Sequence, residues 1–252
     1  MGEAKRIRVE PIAASDANRI VRALHYSGKV VNNSQVHFGV FMDGRCGGAL
    51  QFGPSLDKRK MLGLVEGTGW NEFIELNRMA LAAWLPRNSE SRVLSICMML
   101  LRRNYPWLKW VVSFADGTQS GDGTIYRASG FVLTGITKNG CLWKTKNGKT
   151  TNTIQLHHQT GFRVSEKRIR KGMFPSVVGL ARGFQLRYVY FLDPSVRERL
   201  TVPVLPFSEI ERLGAGMYLG KPRVGGADSG AAGLHPAGGG ASPTPTLPIP
   251  PA

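Results

Sequence analysis

Apolar residues along this chain recur with the alternation of strands in some stretches and the spacing of helix faces in others, and the changes between the two predict its elements. "RIRVEPI" (6–12) alternates like a strand. Ala17, Ile20, Val21 and Leu24 then recur at helical spacing behind Ser15 or Asp16 as N-cap. "VHFGVFM" and "GGALQFG" flank Asp43-Gly44, a hairpin signature, although the extra Arg45-Cys46 argues for a loop longer than two residues. "EFIELNRMAL" (72–81) reads as a strand, with Pro86 beyond it. From Ser89 to Asn104, Val93, Ile96, Cys97, Leu100 and Leu101 share one apolar face, the clearest helix in the chain.

"LKWVVSF" (108–114) is continuous enough to be a strand buried on both faces. "GDGTIYRASGF" (121–131) reads as a short helix from an Asp122 cap to a Gly130 C-cap, and "FVLTGIT" and "NTIQLHH" as two further strands. This order, strand, helix, three strands, helix, strand, helix, strands, implies an α/β fold with a mixed central sheet and helices on its faces. On strand 73–80, Glu75 and Asn77 fall on one face and Arg78 on the other.

Composition changes this picture at two places. From Gly214 to Ala252, glycine, alanine and proline replace large apolar residues, so this stretch is expected to be a disordered tail in which His235 has no role. The chain of 252 residues carries 33 Lys plus Arg against 17 Asp plus Glu, a formal charge of +16. Such an excess favours a polyanionic partner, because neutralised phosphates release counterions. Residues 161–200 hold nine basic residues against three acidic ones, interleaved with Phe162, Phe174, Phe184, Tyr188 and Tyr190, a pattern that suits phosphates and an exposed base. A solvated basic face is the competing reading. The N-terminus lacks the apolar run of a signal peptide and no stretch is apolar enough to cross a membrane, so a cytoplasmic protein without a membrane partner is expected. Cys46, Cys97 and Cys141 have neither disulfide-framework nor zinc spacing.

The element order resembles the GNAT acyltransferase superfamily, and Tyr126 four residues before the Gly130-Phe131 pair resembles the tyrosine of that superfamily's fourth helix. The combination of "HYSGK" (25–29), "ELNRMAL" (75–81), "NSESRVLS" (88–95), "VSFADG" (112–117) and "GTIYRASGF" (123–131) is similar to a narrower group, the Mom proteins of Mu-like bacteriophages. That resemblance covers roughly residues 6–210. It implies a GNAT-like core (1–160), a basic extension packed on it (161–213) and the tail (214–252). It also implies conversion of the exocyclic amine of adenine in double-stranded DNA to a carbamoylmethyl form, protecting phage DNA in the bacterial host's cytoplasm. An ordinary N-acetyltransferase of a protein or small amine, or a non-catalytic DNA-binding protein, are the rival readings.

Carried over residue by residue, the resemblance implies acetyl-CoA in a gap between strands 73–80 and 108–114. Its pyrophosphate would lie near Arg87, Ser89, Ser91 and Arg92, with Ser113 pointing into the gap. The superfamily's usual loop glycines are absent here. His25, Tyr26, Glu75, Asp116 and Tyr126 are the candidate catalytic residues: Tyr126 as proton donor to a leaving thiolate, Glu75 as base or orienter, His25 as base, Tyr26 as a stacking ring. Each has a structural alternative: a core tyrosine, an internal Glu-Arg pair, a turn aspartate, a capped helix end. Ser27, Lys29, Arg168, Arg170, Lys171, Arg187 and Tyr188 are candidates for holding DNA. A homodimer and an iron ion at His25 and Asp116 stay open; His157 and His158, on a strand, would face opposite sides.

Overall fold

The structure is a computed structural model and describes residues 2–117, 121–181, 183–218 and 221–222. A 3-10 turn, Glu3–Arg6, leads into β1 (Arg8–Pro11), α1 (Ala14–Leu24), β2 (Val36–Met42), β3 (Arg45–Gly53), α2 (Lys58–Leu62) and β4 (Phe73–Leu81). α3 (Ser89–Asn104), β5 (Trp110–Asp116), α4 (Thr124–Ala128) and β6 (Val132–Lys138) follow. β7 (Leu142–Thr145), β8 (Thr150–Asn152), α5 (Thr153–Thr160), α6 (Glu166–Arg170) and β9 (Val177–Leu180) precede the last long strand, β10 (Phe184–Phe191).

Seven strands form the main sheet in the order β1-β2-β3-β4-β5-β10-β6. Every neighbouring pair is antiparallel except β4 and β5. On one face, Val93, Leu94, Cys97, Met98 and Leu101 of α3 and Tyr126 of α4 pack on Phe38, Leu50, Phe52, Val111 and Leu186. On the other, α1 sets Ala17 and Ile20 against Ala49, while Met61 of α2 joins Phe73, Trp110 and Val112. Phe73 and Trp110 stack with ring centroids 4.4 Å apart. This is the mixed α/β sheet covered on both faces that the element order implied.

Several expectations are corrected. Ala13, not Ser15 or Asp16, takes the N-cap position of α1 and makes no side-chain cap, and Asp16 instead pairs with Arg19 at 2.9 Å in the first turn. The β2–β3 loop is two residues long, with Asp43 (φ 52°) and Gly44 (φ 75°) both left-handed, as a twist-matched hairpin turn demands. The extra residue is absorbed one step later, where the register slips around Gly47 between the Val40–Gly48 and Phe41–Cys46 pairs. "NTIQLHH" is helical: the Asn152 side chain accepts the Gln155 N–H at 2.7 Å and starts α5, which carries both His157 and His158.

The expected boundary at residue 160 is also corrected. β7–β9 and the helices α5 and α6 surround their own small core of Trp143, Leu156, Val164, Phe174 and Val177. They form an insertion, residues 139–183, between β6 and β10. β10, assigned above to a peripheral extension, lies inside the main sheet between β5 and β6. At the far end Ala215 is buried on the main core, so ordered structure passes Gly214. Residues 219–220 and 223–252 of the expected tail, His235 included, lie outside the described residues. Among the described residues no helix is long and apolar enough to cross a membrane.

Candidate active site

β4 and β5 run parallel for three register pairs, Phe73–Trp110, Ile74–Val111 and Glu75–Val112, and then part. Beyond that point each is held by its other neighbour, β4 by β3 and β5 by β10. A bulge opens the gap further. Gly53 pairs with Glu75 and Phe52 with Leu76, but Gln51 pairs with Arg78, so Asn77 is an extra residue on β4. The bulge is packed in place: a Cβ on Gly53 would come within 2.6 Å of Asn77 Oδ1, which also accepts the Ser34 hydroxyl at 2.9 Å.

The bulge reverses one reading of the strand. With one residue added, Arg78 returns to the face of Glu75 instead of opposing it. Its Nε donates to the Lys29 carbonyl at 2.9 Å, fixing the chain that follows α1. Burial lowers the Arg78 pKa, partly offset by Tyr26 and Glu75. The sequence reading missed Arg78 because no local pattern announces a bulge.

α1 ends at Leu24, and the His25 N–H closes on the Val21 carbonyl. A turn follows, with the Gly28 N–H donating to the His25 carbonyl at 2.8 Å and Gly28 at φ 59°. His25 Nδ1 accepts the Ser27 N–H at 3.1 Å and sits 2.8 Å from the Ser27 hydroxyl. Burial and then the Arg78 charge depress its pKa to about 4, leaving a neutral imidazole at neutral pH. Its ring lies 4.2 Å from that of Tyr26. Tyr26 as a whole is 55% exposed. Its hydroxyl faces the Asp116 carboxylate, and burial of the hydroxyl end together with that negative charge pushes its pKa up.

From the opposite face, Tyr126 and Ser113 reach the same gap. Tyr126 is locked by a helix stop: Gly130 (φ 82°) lets the Phe131 N–H bond the Tyr126 carbonyl at 3.0 Å, and the two rings pack 5.3 Å apart. The Tyr-Gly-Phe motif is therefore a C-cap with its apolar contact. Burial raises the Tyr126 pKa, with Ser113 pulling it down and Glu75 pushing it up. Ser113 Oγ is buried beside the Tyr126 hydroxyl, and among the described residues it makes no hydrogen bond of good geometry. Glu75 is raised by burial; the Ser55 hydroxyl, the Asn77 amide, Arg78 and the Leu56 N–H turn toward it and pull it back. His25, Tyr26, Glu75, Asp116 and Tyr126, scattered in sequence, thus converge on one gap, with Ser113 and Arg78.

An open depression of about 300 Å³ lies at the start of α3, lined by Lys5, Arg87, Asn88, Ser91, Arg92, Ser95 and Ala128 among others. Asn88 takes the left-handed conformation (φ 68°) in the loop where the superfamily carries glycines, a conformation asparagine tolerates better than most residues. Ser89 does not line the depression. It is 2% exposed and donates its hydroxyl to the Pro86 carbonyl. Lys5 was missed by the sequence reading, since only the 3-10 turn brings it here.

The expected DNA-holding residues divide. Tyr188 is buried beneath α4, its hydroxyl donating to the Asp122 carbonyl at 2.5 Å, and Gly123 is required there because a Cβ would approach its ring to 2.5 Å. It is a core residue, not a surface contact. Arg187 is half-buried and donates to Thr134 Oγ1 at 3.0 Å and to the Thr134 carbonyl at 2.8 Å. Arg168, Arg170 and Lys171 lie on and just after α6 in the insertion, with Arg170 3.7 Å from Glu166. Lys29 spans core and insertion, 3.3 Å from Gln155 Oε1. Among the described residues no three His, Cys, Asp or Glu side chains gather as a metal site, so the iron left open at His25 and Asp116 finds no ligand set.

Comparison with known proteins now bears on this geometry. Residues 6–209 match the model of the Mom protein family. The chain belongs to that family. It is 35% identical over 203 residues, 78% of this chain and 80% of the relative, to the methylcarbamoylase mom of Escherichia phage Mu. Among solved structures, the ribosomal-protein-S18-alanine N-acetyltransferase of Escherichia coli is similar over 74% of this chain and 94% of its own, at 10% identity and a TM-score of 0.42. A Bacillus subtilis acetyltransferase in complex with CoA gives 7% identity and a TM-score of 0.41, over 74% and 97%. The Mom family match covers the whole main sheet, the insertion and the gap residues on both faces.

Proposed function

We propose that this Mom-family protein is a DNA modification enzyme that converts the exocyclic amine of adenine in duplex DNA to a carbamoylmethyl form, using an acyl-CoA donor, as a phage defence against restriction. One observation carries the reading: seven chemistry-bearing side chains from four separate segments, the end of α1, β4, β5 and α4, meet where the parallel strands part. The family relative named a methylcarbamoylase supports the kind of group transferred.

Acetyl-CoA fits the residues present. Lys5, Arg87 and Arg92 supply cations and α3 its N–H donors for a pyrophosphate, and the orphaned Ser113 oxygen waits for a polar partner inside the gap. Bound there, acetyl-CoA would supply the two-carbon unit as an activated thioester, with the amide nitrogen and the two-electron oxidant needed to join its methyl carbon to the adenine amine coming from separate co-reactants in the host extract. Tyr126, held protonated by burial, is placed to donate a proton inside the gap. On the acceptor face the exposed Tyr26 ring offers an extruded adenine a stacking surface, with the Asp116 carboxylate to accept hydrogen bonds from its amine. His25, neutral at working pH, orients this edge and accepts a proton only weakly.

The test is direct. Purified protein is incubated with duplex DNA and acetyl-CoA in an extract of its host, and the DNA is digested to nucleosides for mass spectrometry. A mass-shifted deoxyadenosine is expected; unmodified adenine alongside an acetylated protein or metabolite would replace the reading with an ordinary N-acetyltransferase.

A further inference from the structure

Leu56 is 95% exposed, far more than any other exposed large apolar side chain among the described residues. Isolated surface leucines are ordinary. What sets this one apart is how firmly its backbone is held while its side chain touches almost nothing. Gly53, the last residue of β3, pairs with Glu75, so the Pro54-Ser55-Leu56-Asp57 turn leaves the sheet at the mouth of the gap. Ser55 is 6% exposed, and its hydroxyl and the Leu56 N–H both turn toward Glu75. Asp57 then accepts the Lys60 N–H at 3.3 Å, closing the turn on its other side. The result is a rigid stalk with an apolar tip.

Its neighbours are cations. Lys58, Arg59 and Lys60 follow after Asp57, and Lys58 Nζ lies 4.6 Å from the ring of Trp70, itself half exposed. An apolar tip followed, past Asp57, by three positive charges, beside the gap proposed to receive an extruded base, is the chemistry of a side chain that enters a duplex. Minor-groove and base-flipping proteins insert leucine, phenylalanine or methionine between base steps, and cations on either side hold the phosphates of the opened step. We propose that Leu56 is the wedge that fills the base stack when adenine swings into the gap, with Lys58, Arg59 and Lys60 gripping the adjoining phosphates. The proposal rests on the DNA reading above and names how that site reaches a paired base.

The experiment compares wild type, Leu56→Ala and Leu56→Phe on two oligonucleotides: a duplex with the target adenine paired, and the same duplex with that adenine unpaired in a bulge. Because extrusion is the step at issue, Leu56→Ala is expected to lose on the order of tenfold or more in modification of the paired adenine and little on the bulged one. Leu56→Phe, still a wedge, should retain most activity on both. Equal losses on the two substrates, or none on either, would overturn the wedge. A binding arm separates this from failure of the functional reading. With 2-aminopurine in place of the target adenine, wild type should raise fluorescence on binding and Leu56→Ala should not, whatever the turnover. Equal fluorescence from the two proteins also counts against the wedge.

Discussion

The gap between β4 and β5 and the 139–183 insertion are both polar and both built to meet charge, yet they are made in opposite ways. At the gap, each candidate group is fixed by packed elements: Arg78 by a bulge in the sheet, Tyr126 by a helix stop on Phe131, His25 by the end of α1. The insertion instead carries nine Lys or Arg against Glu166 alone, mostly on loops and the five-residue α6, over a core of five buried side chains. Chemistry needs side chains held by packing; phosphate attraction needs only charge on a surface. The first should therefore be intolerant of single changes and the second graded.

The largest expected contrast breaks along that line. Asp116→Asn should lower DNA modification by about 10²–10⁴-fold, the range for a positioned acid or base, with DNA affinity unchanged. Replacing Arg168, Arg170 and Lys171 together by Ala should leave turnover of saturating DNA near wild type. It should weaken binding to all sequences and reduce the slope of log affinity against log salt by about 2 to 3. A sequence-selective loss, or an unchanged slope, would remove those three residues from the DNA surface.

Stability separates the two regions next. Trp143 is 5% exposed and donates Nε1–H to Thr153 Oγ1 at 3.1 Å. Trp143→Ala should cost about 3–5 kcal/mol, and hydrogen exchange should show amides of 139–183 losing protection while β4 and β5 keep theirs. Loss of protection throughout would mean one cooperative unit. In the main sheet, Gly123→Ala meets both a left-handed backbone and the Tyr188 ring, an expected cost of about 1–3 kcal/mol read from the urea midpoint.

The smallest effect is a pH dependence. His25 titrates at about 4 when folded and at its ordinary value of 6.5 when unfolded, so protons bind the unfolded chain more tightly. Its share of stability is intact above 6.5 and falls as pH drops from 6.5 toward 4. His25→Gln should flatten that part of the profile relative to wild type. Arg78→Gln, which removes a charge opposing protonation, should move the His25 titration upward by NMR; a fixed value would assign the shift to burial alone.

How much of this was readable in the residues follows the same division. α3 was legible to its ends because Val93, Cys97 and Leu101 keep helical spacing over about two turns and Arg102, Arg103 and Pro106 mark its close. The convergence of His25, Tyr26, Asp116 and Tyr126 was legible through the family resemblance, since no spacing along the chain brings them together. Both bulges escaped: an added residue at Gly47 or Asn77 is a response to neighbouring strands, and alternation alone placed Arg78 on the wrong face. Thr153 and Ile154 favour strand by propensity, yet the Asn152 cap and burial of Leu156 made α5 a helix. β10 was misplaced because a basic segment drew attention to charge, although Leu186, Tyr188 and the partners between them already alternate as a half-buried strand does.

The most direct test of the central claim is the nucleoside composition of DNA from cells expressing wild type or Tyr26→Phe, with both proteins shown by thermal unfolding to be equally folded. The account predicts a mass-shifted deoxyadenosine with wild type and its near disappearance with Tyr26→Phe, which keeps the stacking ring but loses the hydroxyl that holds the Asp116 carboxylate in place to meet the adenine amine. Equal amounts of modified deoxyadenosine from both proteins, or none from wild type, would contradict it.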